Sequence, residues 1–192
     1  MKRIIILVAA VALFSGCAST ETIKRLETQS GHGMYTALAD TQAPAPAGYG
    51  DLQLSLSLKT RNPGSVLMDT TDYGTERYSL LVGISGQTLR LTGARTPESG
   101  DYHGSSDPEA GNGVRYHFTA TLRLPVGSHR ITVALPGDGV VLEHDVTVHH
   151  GMNRLELKPV YGMKSSYTLL GFRGERTYYE GVTALVVSGQ SD

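Results

Sequence analysis

Val114-Arg115-Tyr116-His117-Phe118-Thr119-Ala120-Thr121-Leu122-Arg123-Leu124 alternates apolar and polar side chains without a break. Side chains of a β-strand point to opposite faces in turn, so this period of two marks a strand with one buried face. The pattern repeats downstream in His129–Leu135, Val140–Val148 and Asn153–Val160. The connections are Pro125-Val126-Gly127-Ser128, Pro136-Gly137-Asp138-Gly139 and His149-His150-Gly151-Met152. Each is of hairpin length. Direct pairing would set Leu122 opposite Ile131, Ile131 opposite His144, and Val146 opposite Leu155. That register keeps every apolar side chain on one face, and a slip of one residue would turn a whole strand over. The expectation is a four-stranded antiparallel meander over about 114–160.

The other face of this meander would carry the rows Arg123, Arg130, Asp145, Glu156 and Thr121, Thr132, Glu143, Lys158. Such a face belongs in water, and the apolar face needs a cover. Leu52-Gln53-Leu54-Ser55-Leu56-Ser57-Leu58-Lys59, the stretches Arg77–Ile84 and Thr88–Leu91, and Val182–Val187 supply it. The predicted fold class is all-β, an antiparallel β-sandwich occupying residues 51–190. Residues 92–113 hold five glycines, two prolines and four acidic residues, a composition that predicts an exposed loop.

Outward from the sandwich, the amino-terminal region has a different character. Lys2 and Arg3 precede an apolar run, Ile4–Phe14, and small Ser15 and Gly16 lead to Cys17. The run is shorter than the roughly 20 residues needed to span a bilayer, and residues 1–16 read as a secretion signal. Leu13-Phe14-Ser15-Gly16-Cys17 resembles the bacterial lipobox, with Phe14 where leucine is usual. The resemblance implies cleavage before a lipidated Cys17, the one cysteine of 192 residues. It also implies, from Ala18 in place of aspartate, an outer-membrane lipoprotein facing the periplasm. Two or more acyl chains anchor a protein stably where one does not. Residues 17–50, with Ala43-Pro44-Ala45-Pro46-Ala47-Gly48, are expected to form a lipidated flexible tether.

Charge narrows the partners. Without Lys2 and Arg3 the chain holds 15 basic against 18 acidic residues, so nothing favours nucleic acid. Leu124-Pro125-Val126-Gly127-Ser128-His129-Arg130-Ile131-Thr132-Val133, with Val146-Thr147-Val148 and Gly151, resembles the PEGA domain of bacterial envelope proteins over about 118–160. The resemblance implies a carboxypeptidase-regulatory or immunoglobulin-like sandwich, a structural or interaction module and no catalytic residues. The namesake Pro-Glu-Gly-Ala tetrapeptide is absent.

Chemistry-bearing motifs are few. Gly83-Ile84-Ser85-Gly86-Gln87 lacks the second glycine of a nucleophile elbow, and there is no H-E-x-x-H and no P-loop. His129 and His144 are expected on the buried face. They are two imidazoles where zinc wants four ligands, and read better as core histidines. Asp101, His103, Asp107, Glu109 and Asn112 do not match an EF-hand loop. No metal or cofactor is expected, and no enzyme. The alternative is a cell-wall or glycan-acting hydrolase, or a carbohydrate-binding protein, with its site in 92–113 or 161–181.

A candidate binding patch consists of Tyr161, Tyr167, Phe172, Arg173, Arg176, Tyr178 and Tyr179. Tyrosine and arginine combine large apolar area with a polar handle, which suits an envelope protein or a glycan. The same composition suits a loop sealing the open end of the sandwich, and both readings stand at this point.

Overall fold

The computed structural model describes residues 19–29, 44–63, 71–100, 107–162 and 181–191. Cys17, most of the 163–180 segment's candidate patch (Tyr167, Phe172, Arg173, Arg176, Tyr178, Tyr179), Asp101 and His103 lie outside them.

Two sheets face one another, and the all-β sandwich is what the alternation predicted. In chain order the strands are β1 (Tyr49–Thr60), β2 (Ser79–Ile84), β3 (Gln87–Thr92), β4 (Ala94–Glu98), β5 (Gly113–Pro125), β6 (Gly127–Leu135), β7 (Val140–Val148), β8 (Gly151–Tyr161) and β9 (Val182–Ser191). One sheet has the order β4-β5-β1-β8-β9 and the other β3-β2-β6-β7. Leu52, Leu54, Leu56 and Leu58 of β1 lie opposite Leu122, Ala120, Phe118 and Tyr116 of β5. On the other side of β1, Leu54 and Leu56 meet Leu155 and Leu157 of β8, which runs parallel to it. Ile131, Val133, Leu80, Val82, Val146 and Val148 supply the facing half of the core.

The meander is corrected. β6 and β7 pair as expected, with Ile131 opposite His144 and Val133 opposite Leu142. The flanking hairpins do not form, because β5 pairs with β1 and β4 while β8 pairs with β1 and β9. Residues 125–127 and 149–151 instead carry the chain from one sheet to the other. Alternation reports which side chains face the core. It cannot report which sheet a strand joins, since strands on either side of the core bury the same parity. The charged rows dissolve accordingly. Arg130 keeps Asp145, whereas Arg123 lies opposite Asp51 and binds its carboxylate at 2.7 and 2.9 Å.

Two further corrections concern polar stretches. Within 92–113, β4 adds an edge strand to β5, with Pro97 at the unpaired edge where a missing N–H is tolerated. Within the expected tether, residues 19–29 form a helix, α1. Its Ile23 and Leu26, three apart and therefore on one side, are buried on Leu81 and Ala134, with Val141 beside them. These three residues point away from the core and make an apolar strip on the outer face of the four-stranded sheet. Leu80-Leu81-Val82, Val133-Ala134-Leu135 and Val140-Val141-Leu142 are continuous apolar runs, the signature of strands covered on both faces. The β2–β3 hairpin turns on Ser85 (φ 49°) and Gly86 (φ 79°), the paired positive φ values of a type I′ turn.

One end of the sandwich is closed by tyrosines. Tyr73, Tyr78, Tyr116 and Phe118 form a chain of ring contacts with centroid separations of 5.7, 4.9 and 5.8 Å in that order. Tyr73 and Tyr78 each donate to Asp138 at 2.5 Å, and the backbone N–H of Val182 donates to the same carboxylate at 2.8 Å. Burial, then the Asp138 charge, pushes the Tyr78 phenol far above its ordinary range. A side chain at Gly181 (φ 95°) would collide with the Tyr73 hydroxyl and Asp138, so only glycine fits. Asp138 thus ties β2, β9 and the residue-73 turn together. Asp138→Ala leaves three donors without an acceptor and should lower the unfolding free energy by about 3 kcal/mol. Urea titration measures this, and a loss below about 0.5 kcal/mol, the scale of an ordinary surface substitution, would show that the carboxylate is not a tie.

Candidate functional site

Serine spacing on β1 creates the site. Odd-numbered residues of β1 point to the outer face of the five-stranded sheet, and two of them, Ser55 and Ser57, are short. Their cross-strand neighbours are longer: Ser57 faces His117, and Ser55 has Thr119 on one side and Glu156 on the other. Arg115 continues the β5 wall and Lys158 the β8 wall. The result is a trough of about 460 Å³ with a serine floor. Asp107, Pro108, Glu109 and Tyr161 close one end of it.

That end is built around a buried charge. Lys59, 4 % exposed, is the next outward residue of β1 after Ser57. Its ammonium has three protons to donate. They meet the carbonyls of Glu109 (2.9 Å) and Gly111 (2.7 Å) and the carboxylate of Glu98 (3.1 Å). Arg115 binds Glu98 through Nε and reaches Glu109 at 2.7 Å. Tyr161 donates to the remaining Glu109 oxygen at 2.7 Å and accepts the Lys59 backbone N–H at 2.8 Å. Two cations and two carboxylates therefore hold the 107–111 loop and the end of β8 on the sheet. Arg115, and after it Lys59, holds the Glu98 carboxyl below its usual value of 4.5. Glu98 and Glu109 raise the Arg115 guanidinium further, while burial raises the Tyr161 phenol.

The expected site residues fall into separate places. Tyr161 lines the trough as part of the candidate patch. Asp107 and Glu109 of the acidic stretch line it too, but the Glu109 carboxylate is held by Arg115 and Tyr161. Asn112 accepts the backbone N–H of Gly100 at 3.1 Å, away from that pair. His129 and His144 are half-buried and not core residues. His129 Nε2 lies 2.7 Å from the Pro125 carbonyl, and His144 Nε2 lies 3.4 Å from Gln190. Among the described residues no three His, Cys, Asp or Glu side chains gather as metal ligands would. Besides Lys59, a buried polar residue the sequence reading missed is Asn153, 2 % exposed. Its amide donates to the His149 carbonyl and accepts the His149 N–H, both at 2.8 Å, closing the turn into β8. A polar residue at an apolar-parity position was the available signal.

Comparison with protein-family models, with curated proteins and with solved structures finds no match to this chain. No helix among the described residues is long and apolar enough to cross a membrane.

A carboxyl whose folded pKa lies below its unfolded value contributes stability above the unfolded pKa and loses it as pH falls through the folded one. Glu98 is shifted in that direction. Unfolding free energy should therefore fall as the solution is acidified below about pH 5, and Glu98→Gln should flatten that decline. Equal pH slopes for the two proteins would show that Glu98 contributes nothing to it.

Proposed function

We propose that the chain is a lipid-anchored lipoprotein of the bacterial cell envelope, whose PEGA-like sandwich is a non-catalytic structural or interaction module. The trough over Ser55 and Ser57 carries this reading. Its floor offers hydroxyl groups with His117 and Thr119 beside them, which can donate to or accept from a partner's amides or hydroxyls. The charged groups at its closed end are engaged with one another and act as scaffold. A surface of this kind suits an extended peptide of an envelope protein or a glycan strand. Pockets of this size bury small ligands or single residues of a larger one. The lipobox-like Leu13–Cys17 supports attachment of the module to a membrane, the outer membrane if Ala18 acts as a sorting residue.

Two substitutions test the two halves of the reading. Cys17→Ser should move the protein from the membrane fraction to the soluble fraction with an unchanged far-UV circular dichroism spectrum; retention in the membrane would refute the anchor. Ser55→Leu combined with Ser57→Leu fills the trough without touching the core. It should abolish the crosslinked partner recovered from intact cells while leaving the urea midpoint close to that of the parent. An unchanged set of crosslinked species would show that the trough is not the interaction surface.

A further inference from the structure

The sandwich has two outer faces, and α1 and the trough occupy opposite ones. α1 lies on the four-stranded sheet, while the trough opens on the five-stranded sheet. We infer that the lipid anchor holds the domain with α1 and the four-stranded sheet toward the bilayer, so that the trough faces away from it. The inference rests on acylation of Cys17, and deepens that reading by stating which face meets lipid.

Chain length supplies the argument. Two peptide units separate Cys17 from Ser19, the first described residue of α1, and they span at most about 7 Å. The far end of that link is attached to the domain. Ile23 and Leu26 are buried on the sheet, and Glu27 reaches Arg90 of β3 at 3.6 Å. Leu26 lies over Gly83, where an added Cβ would come within 2.5 Å of Leu26 Cδ2, so the absence of a side chain at 83 forms the notch that seats the helix.

The distance across the molecule decides the orientation. A helix packed on a sheet adds a layer about 10 Å thick, and the two sheets stack about 10 Å apart. The trough therefore opens at least about 20 Å from α1, and turning it to the bilayer would require the link to cover that distance. A link of about 7 Å cannot, whatever its conformation. A tether as long as residues 17–50 would have allowed every orientation; docking of α1 removes that freedom. The exposed side of α1 carries Lys24 and Arg25 with Glu21 and no large apolar side chain. It is suited to rest among lipid headgroups and not to enter the acyl region.

Cys17 is the only cysteine, and its thiol is consumed by acylation, so a single introduced cysteine can carry a fluorophore. Glu143→Cys marks the outer face of the four-stranded sheet and Arg154→Cys that of the five-stranded sheet; both positions are exposed. Each mature acylated protein is reconstituted into vesicles of phosphatidylethanolamine and phosphatidylglycerol bearing a headgroup-linked energy acceptor. Transfer from position 143 should exceed that from position 154 several-fold. In an Ile23→Asp, Leu26→Asp background, with the β-spectrum retained, α1 should release and the two signals should converge. Equal transfer from both positions without those substitutions, or stronger transfer from 154, would overturn the orientation. Mass spectrometry of the same samples separates the two ideas. Acylated Cys17 with equal signals overturns the orientation alone, whereas unmodified Cys17 overturns the anchor and the orientation together.

Discussion

Water is excluded from the leucine stripe of β1, and the rest of the molecule is arranged by that fact. Leu52, Leu54, Leu56 and Leu58 are almost entirely removed from solvent, each contributing roughly 1.5–3 kcal/mol. To bury them, β1 takes the centre of its sheet, between antiparallel β5 and parallel β8. Strand alternation then forces the intervening Gln53, Ser55, Ser57 and Lys59 to the opposite face. The trough and the buried ammonium are thus the outer expression of the same strand whose inner side is the core.

The end of the sandwich where β1 terminates is held by charge as well as by the aromatic contacts of Tyr73, Tyr78 and Tyr116. Lys59 and Arg115 share Glu98 and Glu109, while Asp138 gathers two tyrosine hydroxyls and a backbone N–H. Thr60 accepts the Gly74 N–H at 3.0 Å, and Arg61 lies 4.8 Å from the Tyr73 ring, so the two clusters adjoin. Partly buried charges are costly unless each finds partners of opposite sign with satisfied hydrogen bonds. Here they do, and the benefit is positional. Loop 107–111, poor in apolar side chains, is held in place, and the start of β9 is fixed by the Asp138 carboxylate in addition to its buried Val182 and Leu185. A trough with one end closed by such a lattice has a fixed set of hydroxyls on its floor.

α1 changes how the module relates to the proposed anchor. An extended spacer behind Cys17 would let the sandwich rotate freely above the bilayer. A helix seated over Gly83 would couple the proposed anchor to one face of one sheet. Among the described residues two aliphatic side chains, Ile23 and Leu26, and the Glu27–Arg90 pair hold it, so the docking is weaker than the core by far. The proposed orientation is therefore separable from the fold: release of α1 would remove it while the sandwich persists.

The sandwich class, the strand positions other than β4, and the β6–β7 register were legible because each depends on local periodicity. A strand's two faces are set by the parity of its residues, and Leu52–Lys59 or Val114–Leu124 display that parity without reference to anything distant. Partnership between strands was not legible, because β5, β6, β7 and β8 bury the same parity whether they lie side by side or across the core. The choice of β1 as neighbour to both β5 and β8 came from packing, which sums over the whole interior. The trough was hidden for the same reason: Ser55, His117 and Glu156 are far apart in sequence and meet only when three strands align. Lys59 was unremarkable as one more polar residue in an alternating strand. Only the closed fold, by laying Glu98, Glu109 and Arg115 against it, made it a buried ion.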